Sequence, residues 1–315
     1  MTQAATAAPF GDGAGELCTQ WPEGYRAAAC FTFDLDAEAV ALVGDPTSAD
    51  RMSVMSHQSY GPLTGVPRLL RLLDSHGIRA TFFVPGFTAH RYPDVVRRIA
   101  GAGHEIAHHG YLHEPLTGAD EAAELTYLDR GLDALTEVTG VRPVGYRAPM
   151  WELNYRSPGL LHDRGFLYDS SLMDADLPYE LAAGTGSIVE IPVYWGLDDW
   201  EQYCFVPGLY EAGVIASPAK AREMWSLELA AMRAEGGCFV LTSHPFLSGR
   251  PARAAALGEI MAEAASAGDV WVTTMAEVAA HTRRQRLRSR EPRRIPSGDA
   301  SHLNGAATWS GDRHR

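Results

Sequence analysis

Residues 26–36 read Arg-Ala-Ala-Ala-Cys-Phe-Thr-Phe-Asp-Leu-Asp. The run from Arg26 to Phe33 is apolar without alternation, which predicts a strand that is buried on both faces. It leads directly into Asp34 and Asp36. Since residues i and i+2 of a strand point the same way, we expect both carboxylates to project from the end of this strand. Two carboxylates at one site can divide the work, one binding a metal and the other transferring protons.

Strand-like runs and helix-length segments alternate along the rest of the chain. The predicted strands are 80–84, 104–107, 144–146, 187–193, 238–242 and 270–273, and the predicted helices are 65–76, 92–102, 120–139, 157–164, 218–235 and 251–267. This alternation predicts an α/β fold in which parallel strands are joined by helical crossovers. Three stretches read as long loops near the strand ends: 38–64, 172–186 and 197–213. No GxGxxG or P-loop pattern follows a predicted strand, which disfavours a nucleotide cofactor.

Length and composition indicate one large domain. The chain has 315 residues, of which 46% are hydrophobic, and its four cysteines are too few and too scattered for a disulfide scaffold. We assign residues 25–281 to the domain and 1–24 to an N-terminal extension that lacks the pattern of a secretory signal. No apolar run has the length of a membrane span, so we expect a cytoplasmic protein without a membrane partner.

The C-terminal segment differs from the rest in charge. Residues 282–315 contain nine arginines against three acidic residues, although the whole chain has a net charge of −12. Their Ser, Gly and Pro content predicts a basic, disordered tail. Few aromatic residues are interleaved with the arginines, so we do not expect nucleic-acid binding.

A cluster of histidines follows the strand predicted at 104–107. His109 and His113 are four residues apart, which would place both imidazoles on one face of a helical turn, a spacing that grips one divalent cation. His104 and His108 have the same spacing and are the alternative pair. We favour His109 and His113 because they lie beyond the strand. Two histidines and one aspartate leave positions open for water and substrate, as in a catalytic metal site.

Two further strand ends carry polar residues. His244 follows an apolar run that is typical of a central strand, and an imidazole there could donate a proton to a departing nitrogen. Arg147 follows another strand and could orient a carboxylate or clamp an anion. Asp198 and Asp199 are its expected partners.

Aromatic residues flank these polar groups in the sequence. They are Trp151, Trp195, Trp200 and Phe246. Aromatic walls around a few polar groups suit a pocket for a small molecule, and Asp198 is expected in the same pocket.

The motifs resemble those of the polysaccharide deacetylase family, the NodB-homology group of carbohydrate esterases. The resemblance rests on residues 32–36, 109–113, 147–151 and 241–245, which occur in the family's order. It spans roughly residues 26–274. What it implies for the fold is a distorted (β/α) barrel with seven or eight parallel strands.

The resemblance also implies roles for individual residues. A divalent cation, Zn²⁺ above all although other divalent transition metals are possible, would be held by Asp36, His109 and His113. Asp34 would be the general base and His244 the general acid. Arg147 would orient Asp34, with Asp199 or Asp198 behind it; the sequence leaves open which.

One departure bears on the substrate. The adjacent Asp-Asp of the commonest pattern is spread here into Asp34-Leu35-Asp36. This variant is similar to an intracellular branch that includes peptidoglycan-deacetylase-like enzymes and enzymes that open cyclic imides or allantoin, many of them homotetramers. We therefore expect a homo-oligomeric metal-dependent hydrolase of carbon–nitrogen bonds other than peptide bonds, with an N-acetylated amino sugar or a small cyclic imide or amide as substrate. A non-catalytic metabolite-binding barrel is less favoured, because the proton-transfer residues are present.

Overall fold

A single mixed β-sheet organises the part of the chain that the computed structural model describes, residues 15–206 and 215–292. Its strands are β1 Ala27–Asp34, β2 Thr81–Val84, β3 Glu105–His108, β4 Gly145–Tyr146, β5 Tyr168–Asp169, β6 Tyr179–Ala183, β7 Gly186–Glu190, β8 Cys238–Ser243 and β9 Val270–Val272. They follow the order β6-β7-β5-β4-β3-β2-β1-β8, and β9 pairs with the start of β1. The sheet is curled and mostly parallel, so the expected (β/α) barrel architecture is confirmed in the form of a half-barrel.

The helices cover the outside of this sheet. They are α1 Ala39–Gly44, α2 Met52–Tyr60, α3 Val66–Ser75, α4 Gly86–Arg91, α5 Pro93–Gly101, α6 Glu121–Thr139, α7 Ser157–Asp163, α8 Trp200–Tyr203, α9 Pro218–Glu235, α10 Pro251–Ser266 and α11 Met275–Arg284. Local chemistry sets the bounds of the longest one. The side chain of Asp120 caps the first turn of α6, and Gly140, with φ of 72°, ends it.

Strand β1 lies between β2 and β8 within the sheet, and this buried position accounts for its unbroken apolar sequence. All eight of its residues are buried. It pairs in parallel with β2 on one side and β8 on the other. Its two faces pack into two different apolar clusters, one with Ala29, Phe31 and Phe33 and the other with Ala28 and Cys30, so neither face needs polar residues. The carboxyl ends of β1, β3, β4 and β8 therefore meet at one edge of the sheet.

All three predicted long loops contain regular structure, and the segment 197–213 includes the short helix α8. The segment expected as a loop over 172–186 contributes β6, which pairs antiparallel with β7. The segment 38–64 is largely helical, with α1, α2 and a π-turn over Gly61–Gly65. Helix α2 has little apolar periodicity, because only Val54 and Gln58 of it are buried. Tertiary packing therefore stabilises it where the local pattern gave no signal.

The chain ends are partly ordered against the domain. Helix α11 runs to Arg284, so the boundary expected at 282 falls inside it. Further on, Arg290 pairs with Asp174 at 2.6 Å and covers the ring of Tyr179. The remainder of the expected basic tail, residues 293–315, and residues 1–14 lie outside the described residues. Within the described ranges no helix has both the length and the apolar character that crossing a bilayer requires.

Candidate active site

Three polar side chains converge beyond the ends of β1 and β3. The ligand atoms of Asp36, His109 and His113 all lie within 4.8 Å of one another, and the three residues are buried. His109 Nε2 is 3.5 Å from Asp36 Oδ1, and His113 Nε2 is 3.8 Å from Asp36 Oδ2. The side chains that the sequence analysis grouped as a metal site are thus brought together.

The two histidines converge through a loop, so the expected helical turn is wrong. Residues 109–116 form no helix, and Gly110 and His113 have φ of 73° and 60°. This left-handed backbone at both positions folds the segment back so that the two rings face each other, with centroids 4.9 Å apart. The spacing of four residues identified the correct pair, but the left-handed backbone conformation of Gly110 brings the two rings together.

The alternative histidine pair has other partners. His108 Nδ1 accepts a hydrogen bond from the N–H of Gly110, and its Nε2 bonds the carbonyl oxygen of Leu128 at 3.0 Å. His104 Nδ1 accepts from the N–H of Ala80. Both rings therefore have hydrogen-bond partners within the fold, and neither belongs to the cluster around Asp36.

The donor set fits a divalent cation. Both carboxylate oxygens of Asp36 are buried and have no hydrogen-bond partner among the described residues, and buried polar atoms seldom remain so without a ligand. His109 Nδ1–H donates to the carbonyl oxygen of Arg147 at 2.8 Å, which leaves the lone pair on Nε2 facing Asp36. Burial lowers the pKa of His109 to about 3, against the opposing charge of Asp36, so the ring is neutral, as a metal ligand must be.

Arg147 fixes the orientation of the Asp34 carboxylate. Arg147 Nη1 donates to Asp34 Oδ1 at 2.7 Å, and its remaining hydrogen bonds go to Thr32 and Ser170. The other carboxylate oxygen, Oδ2, lies 3.9 Å from His109 Nε2. A carboxylate fixed in this way beside a cation site can accept a proton from a water molecule.

The expected pairing of Arg147 with Asp198 and Asp199 is wrong. Asp199 Oδ1 instead accepts a hydrogen bond from His244 Nδ1–H at 2.7 Å, and Asp199 also accepts from the backbone N–H of His244. Asp198 caps the N–H of Trp200 and lies 3.5 Å from His244 Nδ1. The physical reason is position: residues 198–199 lie beside the end of β8, where Asp198 bridges Thr242, and β4 is on the far side of β1.

These carboxylates set the protonation of His244. Burial lowers the pKa of the imidazole, but the charge of Asp198 and the hydrogen bond to Asp199 outweigh it, and the pKa stays well above its ordinary value. Burial also raises the pKa of the Asp198 carboxyl, while the charge of His244 lowers it. We place the proton on His244, because Asp199 and Asp198 lie 2.7 and 3.5 Å from its Nδ1 and the pKa of the imidazole is raised well above its ordinary value. Its Nε2 then points to Asp36 Oδ2, 3.6 Å away.

An aromatic cavity of about 120 Å³ opens over these groups. Trp151 and Trp195 stack with centroids 4.4 Å apart and form one wall. Trp200 lies edge-on to His244 on the other side. Phe246, which was expected in the pocket, is buried behind Trp200 and His244 and does not line the cavity.

The cavity also has lining residues that the sequence analysis missed. They are Val40, Met150 and Glu201. Met150 and Glu201 are sequence neighbours of Trp151 and Trp200, so adjacency to predicted pocket aromatics was an available signal. Val40 lies in α1, within the segment that was read as a loop.

Backbone strain is concentrated around the site. Ala37, His113, Met150 and Trp151 have φ of 50°, 60°, 59° and 55°. Such left-handed conformations cost non-glycine residues of order 1–3 kcal/mol each and persist where the surrounding structure enforces them. Each of the four is a site residue or the sequence neighbour of one.

Comparison with known proteins gives consistent matches. The family model described as polysaccharide deacetylase matches residues 50–167. The fold is similar to the crystal structure of a candidate polysaccharide deacetylase from Mycobacterium smegmatis, with 60% identity, a TM-score of 0.87, and coverage of 89% of this chain and 100% of that one. The sequence is similar to the peptidoglycan deacetylase-like protein FGM2 of Gibberella zeae, with 31% identity over 64% of this chain and 67% of the relative. The fold is also similar to the crystal structure of Puue allantoinase, with 29% identity, a TM-score of 0.72, and coverage of 83% of this chain and 91% of that one.

Proposed function

Because the chain belongs to the polysaccharide deacetylase family, we propose that its site removes the acetyl group from an N-acetylated amino sugar. Members of this family are hydrolases of carbon–nitrogen bonds other than peptide bonds, and this chain is one of them. The observation that carries the proposal is that His244 and Asp34 each lie beside a donor of the proposed cation site. His244 Nε2 is 3.6 Å from Asp36, and Asp34 Oδ2 is 3.9 Å from His109 Nε2.

Asp36, His109 and His113 would hold the cation. A set of two imidazoles and one carboxylate suits Zn²⁺, although other divalent transition metals accept the same donors. When bound, such a cation lowers the pKa of a water molecule and polarises a carbonyl oxygen. The two unpartnered oxygens of Asp36 support this assignment.

Asp34 is proposed as the general base. Arg147 keeps its carboxylate oriented through Oδ1, so that Oδ2 is available to the pocket. As water attacks the acetamide carbon, Asp34 takes the proton that the water loses. Removal of this proton makes the oxygen a competent nucleophile.

His244 is proposed as the general acid. Asp199 holds Nδ1–H, so the Nε2–H faces the pocket. When the carbon–nitrogen bond of the tetrahedral adduct breaks, His244 gives this proton to the departing nitrogen, which leaves as the amine while acetic acid is formed. The acid then passes its proton to the amine, so the products are acetate and the ammonium form of the amine. The proton on Asp34 then returns to His244 through solvent, which closes the cycle.

The backbone around Met150 is proposed to stabilise the oxyanion. The N–H of Ala148 donates to Ser171 Oγ and that of Trp151 to the carbonyl oxygen of Ala148, while Pro149 has none. Within the described residues the N–H of Met150 donates no hydrogen bond, and Met150 lines the cavity. A free backbone N–H at this position can meet the developing negative charge.

A second candidate is the opening of a small cyclic imide or ureide. The similarity to an allantoinase structure supports it, and so does the size of the cavity, about 120 Å³. The same base, acid and cation site can hydrolyse either amide. We also propose a homotetramer, on the resemblance alone, which sedimentation equilibrium tests.

A substrate panel decides between the two reactions. Zn²⁺-loaded enzyme is incubated with N-acetylglucosamine oligomers and with cyclic imides, and acetate release and ring opening are measured separately. We expect acetate from the sugars, and its loss in Asp34→Asn, while Asp163→Asn, at an exposed position, keeps it. Ring opening without acetate release would replace the first proposal with the second.

A further inference from the structure

Two carboxyl groups are buried against each other behind the site. Asp169 and Glu190 are paired residues on the adjacent parallel strands β5 and β7, and both are fully buried. Neither belongs to the cavity that holds Asp34 and His244. No ion pair joins either of them to a cation in the part of the chain that the structure describes. Two such charges in contact would repel strongly at low dielectric.

Only one oxygen of each of these two carboxyl groups accepts a hydrogen bond from the described residues. Glu190 Oε1 accepts from the backbone N–H groups of Ser171 and Leu172, at 3.0 and 2.9 Å. Asp169 Oδ1 accepts from Ser171 Oγ at 2.8 Å. The other oxygen of each carboxyl, Asp169 Oδ2 and Glu190 Oε2, finds no donor among the described residues. One proton between these two oxygens would satisfy both of them.

The charged and titratable groups around the pair are compatible with one negative charge on the two carboxyl groups together. Arg147, at the end of β4, lowers the pKa of Asp169 by its charge. Tyr146 and Tyr179 face the pair from β4 and β6, and their pKa values are raised by burial and by the nearby carboxylates, so both stay neutral. Burial raises the pKa of Asp169 to about 6 and that of Glu190 well above its ordinary value.

We propose that Asp169 and Glu190 share one proton and act together as a singly charged positioning pair for Arg147. The link runs through residues 169–171. Ser170 accepts hydrogen bonds from Nε and Nη2 of Arg147, through its carbonyl oxygen and its Oγ. Ser171 Oγ accepts from the N–H of Ala148 at 2.8 Å. Glu190 fixes this segment by accepting hydrogen bonds from the N–H groups of Ser171 and Leu172. The position of the Arg147 guanidinium, which orients Asp34, therefore depends on Glu190. The role of the pair in the reaction rests on the function proposed above; the shared proton does not.

Infrared spectroscopy of the folded protein tests the shared proton without any substrate. We expect the wild type at neutral pH to show the C=O stretching band of a buried carboxylic acid. Glu190→Gln and Asp169→Asn should each lose this band, because an amide N–H replaces the shared proton. Asp163→Asn, at an exposed position, is the matched control and should keep it. Absence of the band in the wild type, or its persistence in both amide variants, overturns the shared proton.

Kinetics test the positioning role. Glu190→Ala should lower kcat about tenfold with little change in KM, because the segment that holds Arg147 loses its anchor. Glu190→Gln should restore most of this loss, since the amide keeps the hydrogen bonds and the single charge. Equal kcat values for Glu190→Ala and the wild type overturn the role. If no sugar or imide is hydrolysed at all, the proposed function fails while the infrared result stands.

Discussion

Asp199 accepts hydrogen bonds from both the backbone N–H and the ring Nδ1–H of His244, 45 positions away in the sequence. The two contacts fix the ring's tautomer and its orientation together. Its Nε2 is thereby directed to Asp36, a ligand in the proposed cation site. The proposed general acid is thus joined to the proposed cation site through Asp36.

Substitution of Asp199 tests this relationship. Asp199→Asn removes a negative charge that raises the pKa of His244, so the pKa of the imidazole should fall. A general acid with a lower pKa loses its proton at lower pH, and the basic limb of the kcat profile should move in that direction. Because general acid catalysis contributes roughly 10²–10⁴-fold, kcat should fall within that range. An unchanged basic limb would show that His244 is not the titrating acid.

Metal content tests the cation site. We expect about one divalent ion per wild-type chain and a substoichiometric content in Asp36→Asn and His113→Ala. A ligand that binds only the folded state stabilises it by about 2.7–4.1 kcal/mol at 100–1,000 times its Kd, so chelation should lower the Tm of the wild type and leave that of Asp36→Asn unchanged. Elemental analysis and thermal unfolding give the two readouts. His90→Ala is the control, since its ring is partly exposed beside Glu137.

Removal of Arg147 should affect stability and activity together. Its side chain is fully buried and pairs with buried Asp34. Loss of one partner of a buried pair costs about 3–5 kcal/mol, so Arg147→Met should lower the free energy of unfolding in urea by this amount. Arg147→Lys should recover stability better than kcat, because an ammonium group cannot bond Asp34 and Ser170 with the same planar geometry. Equal recovery of both quantities would argue against orientation as the role of Arg147.

Glu201 is expected to select substrates by charge. It lines the cavity together with Asp34, Asp36 and Asp198, and no lysine or arginine is among the described lining residues. A like charge at contact distance costs about 1 kcal/mol in water, or roughly fivefold. Glu201→Gln should therefore raise kcat/KM for a carboxylated N-acetyl sugar about fivefold relative to its neutral analogue. Glu223→Gln, on the exposed side of α9, should leave this ratio at the wild-type value.

The stacked tryptophans are expected to bind substrate more than they contribute to the chemistry. Trp195 is partly exposed and rests on Trp151 at the cavity wall. An aromatic pair is worth about 0.5–1.5 kcal/mol beyond its buried area, so Trp195→Ala should raise KM about 2- to 12-fold while kcat stays within about twofold. Steady-state kinetics measure the split. A fall in kcat without a change in KM would move Trp195 from substrate binding to positioning.

The sequence predicted the residues of the site better than their partners. Asp34, Asp36, His109, Arg147 and His244 follow strands of one parallel sheet, and the sheet alone brings them to one edge. The sequence analysis wrongly paired Asp198 and Asp199 with Arg147, although they lie against His244. It also read 38–64 as a loop, because α2 carries too few buried residues to show a helical period.

The sequence by itself determined the order of most strands and helices, and hence which polar residues end strands, since these depend on apolar runs and turn residues that are local along the chain. Only the tertiary structure decided which titratable side chains lie in contact with each other. Asp199 meets His244 across 45 positions, and Asp169 meets Glu190 across β5 and β7. These pairings depend on strand register and on the path of intervening segments, and no local pattern in the chain encodes either one.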